Sequence, residues 1–218
     1  MQTTAVISIS IKIISVVSGI VIFYLISGFE KERRKKLAEE AVSQIINFVL
    51  FIWLAKVLLD LPLFLSEPLA ALAYPSGSNA FYLAILFSAG LIGYGMKKER
   101  IEGWAFIQTL LYILLPASFF YEFAGWTWNN ESSAFGSIVL YAVLLMLFLV
   151  LNDRVSPVVT GNAILSGWTG GILLLLMIQP HVSMFGYLLE PWFIVILFTA
   201  GQFLMFLHCR RSVIDEHN

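Results

Sequence analysis

The chain predicts an all-α polytopic membrane protein, a single integral domain over residues 1–218, with seven transmembrane helices, its N-terminus outside and its C-terminus cytoplasmic. Three observations predict it. First, 59% of the residues are hydrophobic and only 12% charged, too few polar groups to cover the surface of a soluble domain of 218 residues. Second, apolar runs of the length that a hydrocarbon core about 30 Å thick requires recur along the chain. They occupy residues 5–28, 41–61, 79–96, 103–125, 135–151, 158–178 and 191–208. Third, with seven crossings, every lysine and arginine except Lys12 and Lys56 falls on one face. Short loops rich in Lys and Arg stay cytoplasmic, because carrying them across the bilayer is unfavourable, and this sets the orientation.

The first run is preceded by Met1 to Ala5 without a basic residue and is too long for the apolar core of a cleaved signal, so it is expected to remain in the mature chain. It carries Lys12 two turns in, with no charge near it in sequence. That lysine can snorkel outward or pair with Asp60 or Glu122 from another helix. The stretch EKERRKKLAEE, residues 30–40, alternates charge clusters over three turns and extends the first or second helix beyond the bilayer. Its basic residues suit anionic headgroups, each contributing on the order of 1 kcal/mol near the surface.

In the second run Lys56 and Asp60 are four residues apart and share a helix face about a turn from its outer end. A snorkelling lysine with a local ion pair is the plainer reading of that pair; a ligand-holding site is the sharper one. The gap LPLFLSEPLAALAYPSGS is interrupted by Pro62, Pro68 and Pro75, yet stays greasy through Leu63, Phe64, Leu65, Leu69, Leu72 and Tyr74. It either caps a cavity at the outer interface or lies on the headgroups as a surface helix.

The third run has a small face at Gly90 and Gly93, and the sixth a GxxxG at Gly167 and Gly171, spacings that favour close helix packing. Gln108, Asn162 and Gln202 are expected to hydrogen-bond between helices. Glu122, near the outer end of the fourth run, becomes a proton donor or acceptor if buried. Its aromatic neighbours Tyr121, Trp126 and Trp128 resemble an interfacial belt and favour exposure instead. Cys209, the single cysteine, excludes an internal disulfide and reads as a free thiol at the cytoplasmic edge.

Several chemistries lack their residues. The chain has no HExxH, CxxC, GxxxxGK[ST] or GxSxG. His181, His208 and His217 are scattered, so neither a metal site nor a cofactor is indicated. The basic residues follow the membrane rule rather than a separate groove, which argues against nucleic acid.

The layout resembles the prolipoprotein diacylglyceryl transferase family. FLSEPLAALAYPSG at 64–77 is similar to its tyrosine-leucine-x-asparagine-proline-leucine segment. IVLYAVLLMLFLVL at 138–151 is similar to its SQLYEALLEG helix, and GNAILSGWTGGILLL at 161–175 is similar in glycine and aromatic rhythm to its sixth helix. The family's histidine-glycine-glycine motif and its GRLGNFxNGE signature have no counterpart, and Lys56 stands where it places an arginine. The resemblance therefore implies a divergent, non-catalytic relative in the bacterial plasma membrane that handles phospholipid, phosphatidylglycerol in that family, or lipoprotein, with Lys56, Asp60, Glu122 and Lys12 as its lipid-binding residues. Two other classes stay open: a small transporter or transporter subunit using Lys56, Asp60 and Glu122 as a proton- or solute-linked network, and a structural membrane partner of another enzyme.

Overall fold

The computed structural model describes residues 2–67, 76–98, 101–129, 134–152 and 154–215. The apolar runs become helices. In chain order these are α1 (Gln2–Ile26), α2 (Lys31–Leu59), α3 (Leu61–Ser66), α4 (Ser78–Lys97), α5 (Gly103–Asn129), α6 (Ala134–Asn152), α7 (Pro157–Ile178) and α8 (Pro191–Asp215). A two-stranded hairpin, β1 (Ser183–Met184) and β2 (Tyr187–Leu188), lies between α7 and α8. Among the described residues six helices, α1, α2 and α4 to α7, are long and apolar enough to cross a membrane. The expected seventh, α8, is a long helix, but its described apolar part, Pro191–Met205, is shorter than a span.

The basic stretch after α1 continues α2, which starts at Lys31 and not at the apolar boundary. Of the proline-interrupted gap, the first six residues form α3, with Pro62 in its first turn, where a missing N–H costs nothing. Pro68 and Pro75, with Leu69, Leu72 and Tyr74, lie outside the described residues, as do His217 and the side chains of His208, Cys209, Arg210 and Arg211.

The molecule divides into two compact units, Met1–Ser27 with Leu110–Asn218, and Gly28–Thr109. In the smaller, α2 packs along α4 through edge-to-face pairs, Phe48 with Phe81 at 5.6 Å and Phe51 with Phe87 at 5.8 Å between ring centroids. Its charged end is tied to Glu102, which accepts from Arg33 at 2.8 Å and lies 3.9 Å from Lys36. Arg33 also stacks on Phe29. These groups are half-exposed, so each pair contributes at most about 1 kcal/mol.

In the larger unit small residues set the spacing. A β-carbon on Gly19 of α1 would collide with the main-chain carbonyl of Ile113 in α5, so only glycine permits this approach. Gly171 of α7 lies against Leu140 of α6, and Gly167 against Leu144. The GxxxG face therefore packs as its spacing predicts. Gly90 and Gly93 do not follow that expectation, for nothing among the described residues lies within 4 Å of where their β-carbons would be.

Between α7 and α8 the Gln202 amide donates to Asn162 Oδ1 at 2.8 Å, and Ser166 Oγ donates to the same oxygen at 3.2 Å. Gln202→Leu leaves that oxygen short of a donor and should lower stability by about 1 kcal/mol, the usual size of an interhelical hydrogen bond in lipid. Reversible unfolding in mixed micelles measures it. An unchanged midpoint would remove Gln202 from the packing argument.

Candidate functional site

The four residues singled out from sequence fall in both units. Lys56 and Asp60 belong to the smaller, Lys12 and Glu122 to the larger. On α2, Lys56 is only 8% exposed, against the expectation of a snorkelling side chain. Asp60, the residue after the helix, is exposed, and its N–H donates to the Lys56 carbonyl at 3.0 Å. Asp60 lies just past the end of α2 with non-helical backbone, so a buried cation and an exposed carboxylate stand one turn apart.

Glu122 is 5% exposed, so the aromatic neighbourhood misled the expectation of an interfacial carboxylate. The physical reason is helical rotation. Phe123, Trp126 and Trp128 are exposed on α5, whereas Ser118 and Glu122, four residues apart, share its buried side. Both face Tyr141 of α6: the Ser118 hydroxyl is hydrogen-bonded to its phenol, and Glu122 acts on it electrostatically. From α7 the Trp168 indole donates to the same phenol at 3.4 Å. A polar cluster drawn from three helices is thus buried in the bundle, where such groups are costly unless they bond to one another.

Lys12 has a different setting. It lies on the face of α1 that also carries buried Ser15, Gly19 and Phe23, and Ile9, Ile13, Ile14 and Val17 face outward. Gly19 is packed closely on Ile113 of α5. The Lys12 amino group sits over the Tyr187 ring, 4.8 Å from its centroid. None of the ion pairs found among the described residues involves it.

Tyr187 comes from the hairpin, which apolar periodicity did not reveal. Its turn is Phe185-Gly186, with φ of 51° and 80°. Positive φ at both central residues belongs to the tight hairpin turn that usually takes Asn-Gly. A phenylalanine there is strained by about 1–3 kcal/mol. Its ring packs on Tyr121 of α5 at 5.2 Å, which offsets the strain. The Leu189 N–H to Val182 carbonyl bond, 2.9 Å, and the burial of both side chains anchor the hairpin. The phenylalanine-glycine pair between two apolar runs was the available signal. Burial pushes the Tyr187 phenol above its ordinary value, so it keeps its proton throughout the physiological range. His181, the basic residue of this loop, is exposed.

α1, α5 and α6 line a partly open cavity of about 220 Å³ whose accessible surface is apolar. Ile22, Tyr112, Pro116, Phe119, Leu145 and Phe148 line it. Pro116 within α5 deprives the Tyr112 carbonyl of its helical donor, a loss that membrane helices tolerate when neighbours compensate. The Tyr112 hydroxyl accepts from the Asn152 amide at 2.6 Å, and its ring stacks edge-on against Phe148 at 4.7 Å, which holds the wall. No group of three or more metal-ligating side chains occurs among the described residues. No protein-family model, curated protein or solved structure matches the chain.

Proposed function

We infer that the protein is a multi-pass membrane protein that binds phospholipid and performs no chemistry on it. The carrying observation is the apolar cavity between α1, α5 and α6, with its wall of aliphatic and aromatic side chains and no polar surface. A lipid acyl chain meets such a wall by dispersion alone and leaves no group unsatisfied. The resemblance of the sequence to the diacylglyceryl transferases, without their histidine and arginine motifs, supports the same assignment: lipid is held, but the family's groups for stabilising a developing negative charge have no counterpart.

Leu149, an exposed residue of α6, also lines the cavity, and Leu149→Trp places an indole there. Phospholipid retained by the purified protein, counted by native mass spectrometry, should fall by half or more. Retention equal to wild type would overturn the acyl-chain assignment.

We place the chain in the plasma membrane, crossing seven times, with the N-terminus outside. The basic residues that follow α1 and α4 support this orientation. In a Cys209→Ser background, Ser76→Cys should react with an impermeant maleimide on intact cells, and Glu39→Cys only after permeabilisation. The reverse pattern would invert the topology.

A further inference from the structure

We propose that α7 and α8 present a docking surface for a second copy of the chain, joined across a two-fold axis by the side-chain amides of Asn162 and Gln202. This surface is independent of the lipid-binding reading above, because none of its residues lines the acyl cavity.

The first observation is a polar network on an outward face at membrane depth. α7 has 22 residues, about 33 Å at 1.5 Å per residue, which matches a hydrocarbon core of about 30 Å. Asn162 and Ser166 lie about 8 and 14 Å from its start, inside that core. Gln202 of α8 joins them through its bond to Asn162 Oδ1 at 2.8 Å. Val159, Ser166, Gly170 and Met177 follow one another at helical spacing and are all exposed, so no described part of the chain covers this stripe.

The second observation is what the network leaves over. Asn162 Oδ1 accepts from both Gln202 and Ser166. Among the described residues the Asn162 amide nitrogen donates to nothing, and Gln202 Oε1 accepts from nothing. Both residues are half-buried, and neither of these two atoms is enclosed. The face therefore offers lipid one spare donor and one spare acceptor, and hydrocarbon satisfies neither. With both amides turned over, the network again leaves one amide NH2 and one amide oxygen unbonded, so the tally does not depend on their assignment.

A spare donor on one helix beside a spare acceptor on the next is self-complementary. In a two-fold pair Asn162 of each copy donates to Gln202 of the other, so a single patch satisfies both groups twice over. Close approach is open to it as well. Ser166 and Gly170 stand four apart on the exposed stripe, the small-x-x-x-small spacing that lets membrane helices meet at short range, and nothing described lies within 4 Å of where a β-carbon on Gly170 would be. Residues 157–178 and 191–205 contain no Asp, Glu, Lys or Arg, so the face meets its own copy without opposing like charges. The small residues supply the fit, and the two amides supply the reason for a partner.

The test uses the full chain, labelled at Cys209 with a donor or an acceptor fluorophore and reconstituted in phosphatidylcholine vesicles over a range of protein-to-lipid ratios. Energy transfer in wild type should saturate as the ratio rises and should vary with the acceptor fraction as a dimer does. Gly170→Leu meets open space in a single copy, so it should weaken association at least tenfold and leave the unfolding midpoint unchanged. Gln202→Leu removes both cross-copy bonds and should weaken association by about tenfold, the sum of two bonds of the usual size between membrane helices. Leu25→Ala, on the exposed side of α1, should change nothing. If Gln202→Leu does not fold, Gly170→Leu decides. Wild type without transfer above the random level would overturn the proposal and leave the face to a different membrane helix or to lipid. A dimer that survives Gly170→Leu would place its interface elsewhere, and one that survives a folded Gln202→Leu would overturn the amide pairing.

Discussion

Gly19→Leu should be the most damaging single substitution in the larger unit, lowering stability by about 3 kcal/mol or more and weakening lipid binding with it. The size follows from what a side chain meets. Its β-carbon would collide with the carbonyl of Ile113, a main-chain group that cannot rotate aside, so α1 must move away from α5. In a membrane helix pairs are held by van der Waals packing at close approach, because lipid tails are as apolar as the side chains and burial gains nothing extra. Separation therefore forfeits the contact rather than trading it. Overpacking in a rigid core costs about 1–3 kcal/mol, and a clash with backbone lies at the upper end. Gly19→Ala should already be destabilising, since the β-carbon alone collides. Gly90→Ala and Gly93→Ala provide the contrast: with nothing within 4 Å they should stay within about 0.5 kcal/mol of wild type. Reversible unfolding in mixed micelles separates the two cases. A stable Gly19→Leu variant with unchanged lipid binding would mean that α1 and α5 do not depend on this contact. The lipid effect follows from the fold, because Ile22 and Ile26 of the cavity wall lie on α1, three and seven residues from Gly19.

These glycines also show where sequence reading holds and where it stops. Membrane spans follow from apolar length, and α4 (Ser78–Lys97) and α6 (Ala134–Asn152) end within a residue or so of the apolar boundaries. Small-residue spacing, by contrast, marks a face that can approach another helix without saying whether one is there. Gly171 found Leu140, whereas Gly90 found open space. Charge placement failed in a related way. Lys56 and Glu122 looked interfacial because they sit near span ends, but exposure on a helix depends on rotation as much as depth, and both are turned inward. Lys12, Tyr121 and Gly186 come together from α1, α5 and a hairpin turn 174 residues beyond Lys12, so they share no local pattern. Only the Phe-Gly dipeptide hinted at the turn, and the strain at Phe185 becomes visible only in the backbone.

Tyr141 carries the second large prediction, because it joins packing to the buried polar cluster. Its side chain is 1% exposed and among the largest that are fully enclosed. Tyr141→Ala should cost about 3–5 kcal/mol, since the surrounding helices cannot collapse into the void of an aromatic ring. Tyr141→Phe keeps the ring and removes the oxygen that Trp168 and Ser118 share. The Trp168 bond is long at 3.4 Å, and hydrogen bonds between membrane helices are weak, so the expected loss is only about 1 kcal/mol. The ratio of the two effects is the informative quantity. A phenylalanine variant nearly as unstable as the alanine one would show that the hydroxyl, and not the ring, holds α5, α6 and α7 together. Near-neutral behaviour of both would mean that the site repacks and that Tyr141 does not organise the bundle. Lipid binding gives an independent reading, because Tyr141 is not among the residues that line the acyl cavity. A folded Tyr141→Phe variant should therefore keep the phospholipid that Leu149→Trp loses, which separates the bundle's polar core from its proposed ligand site.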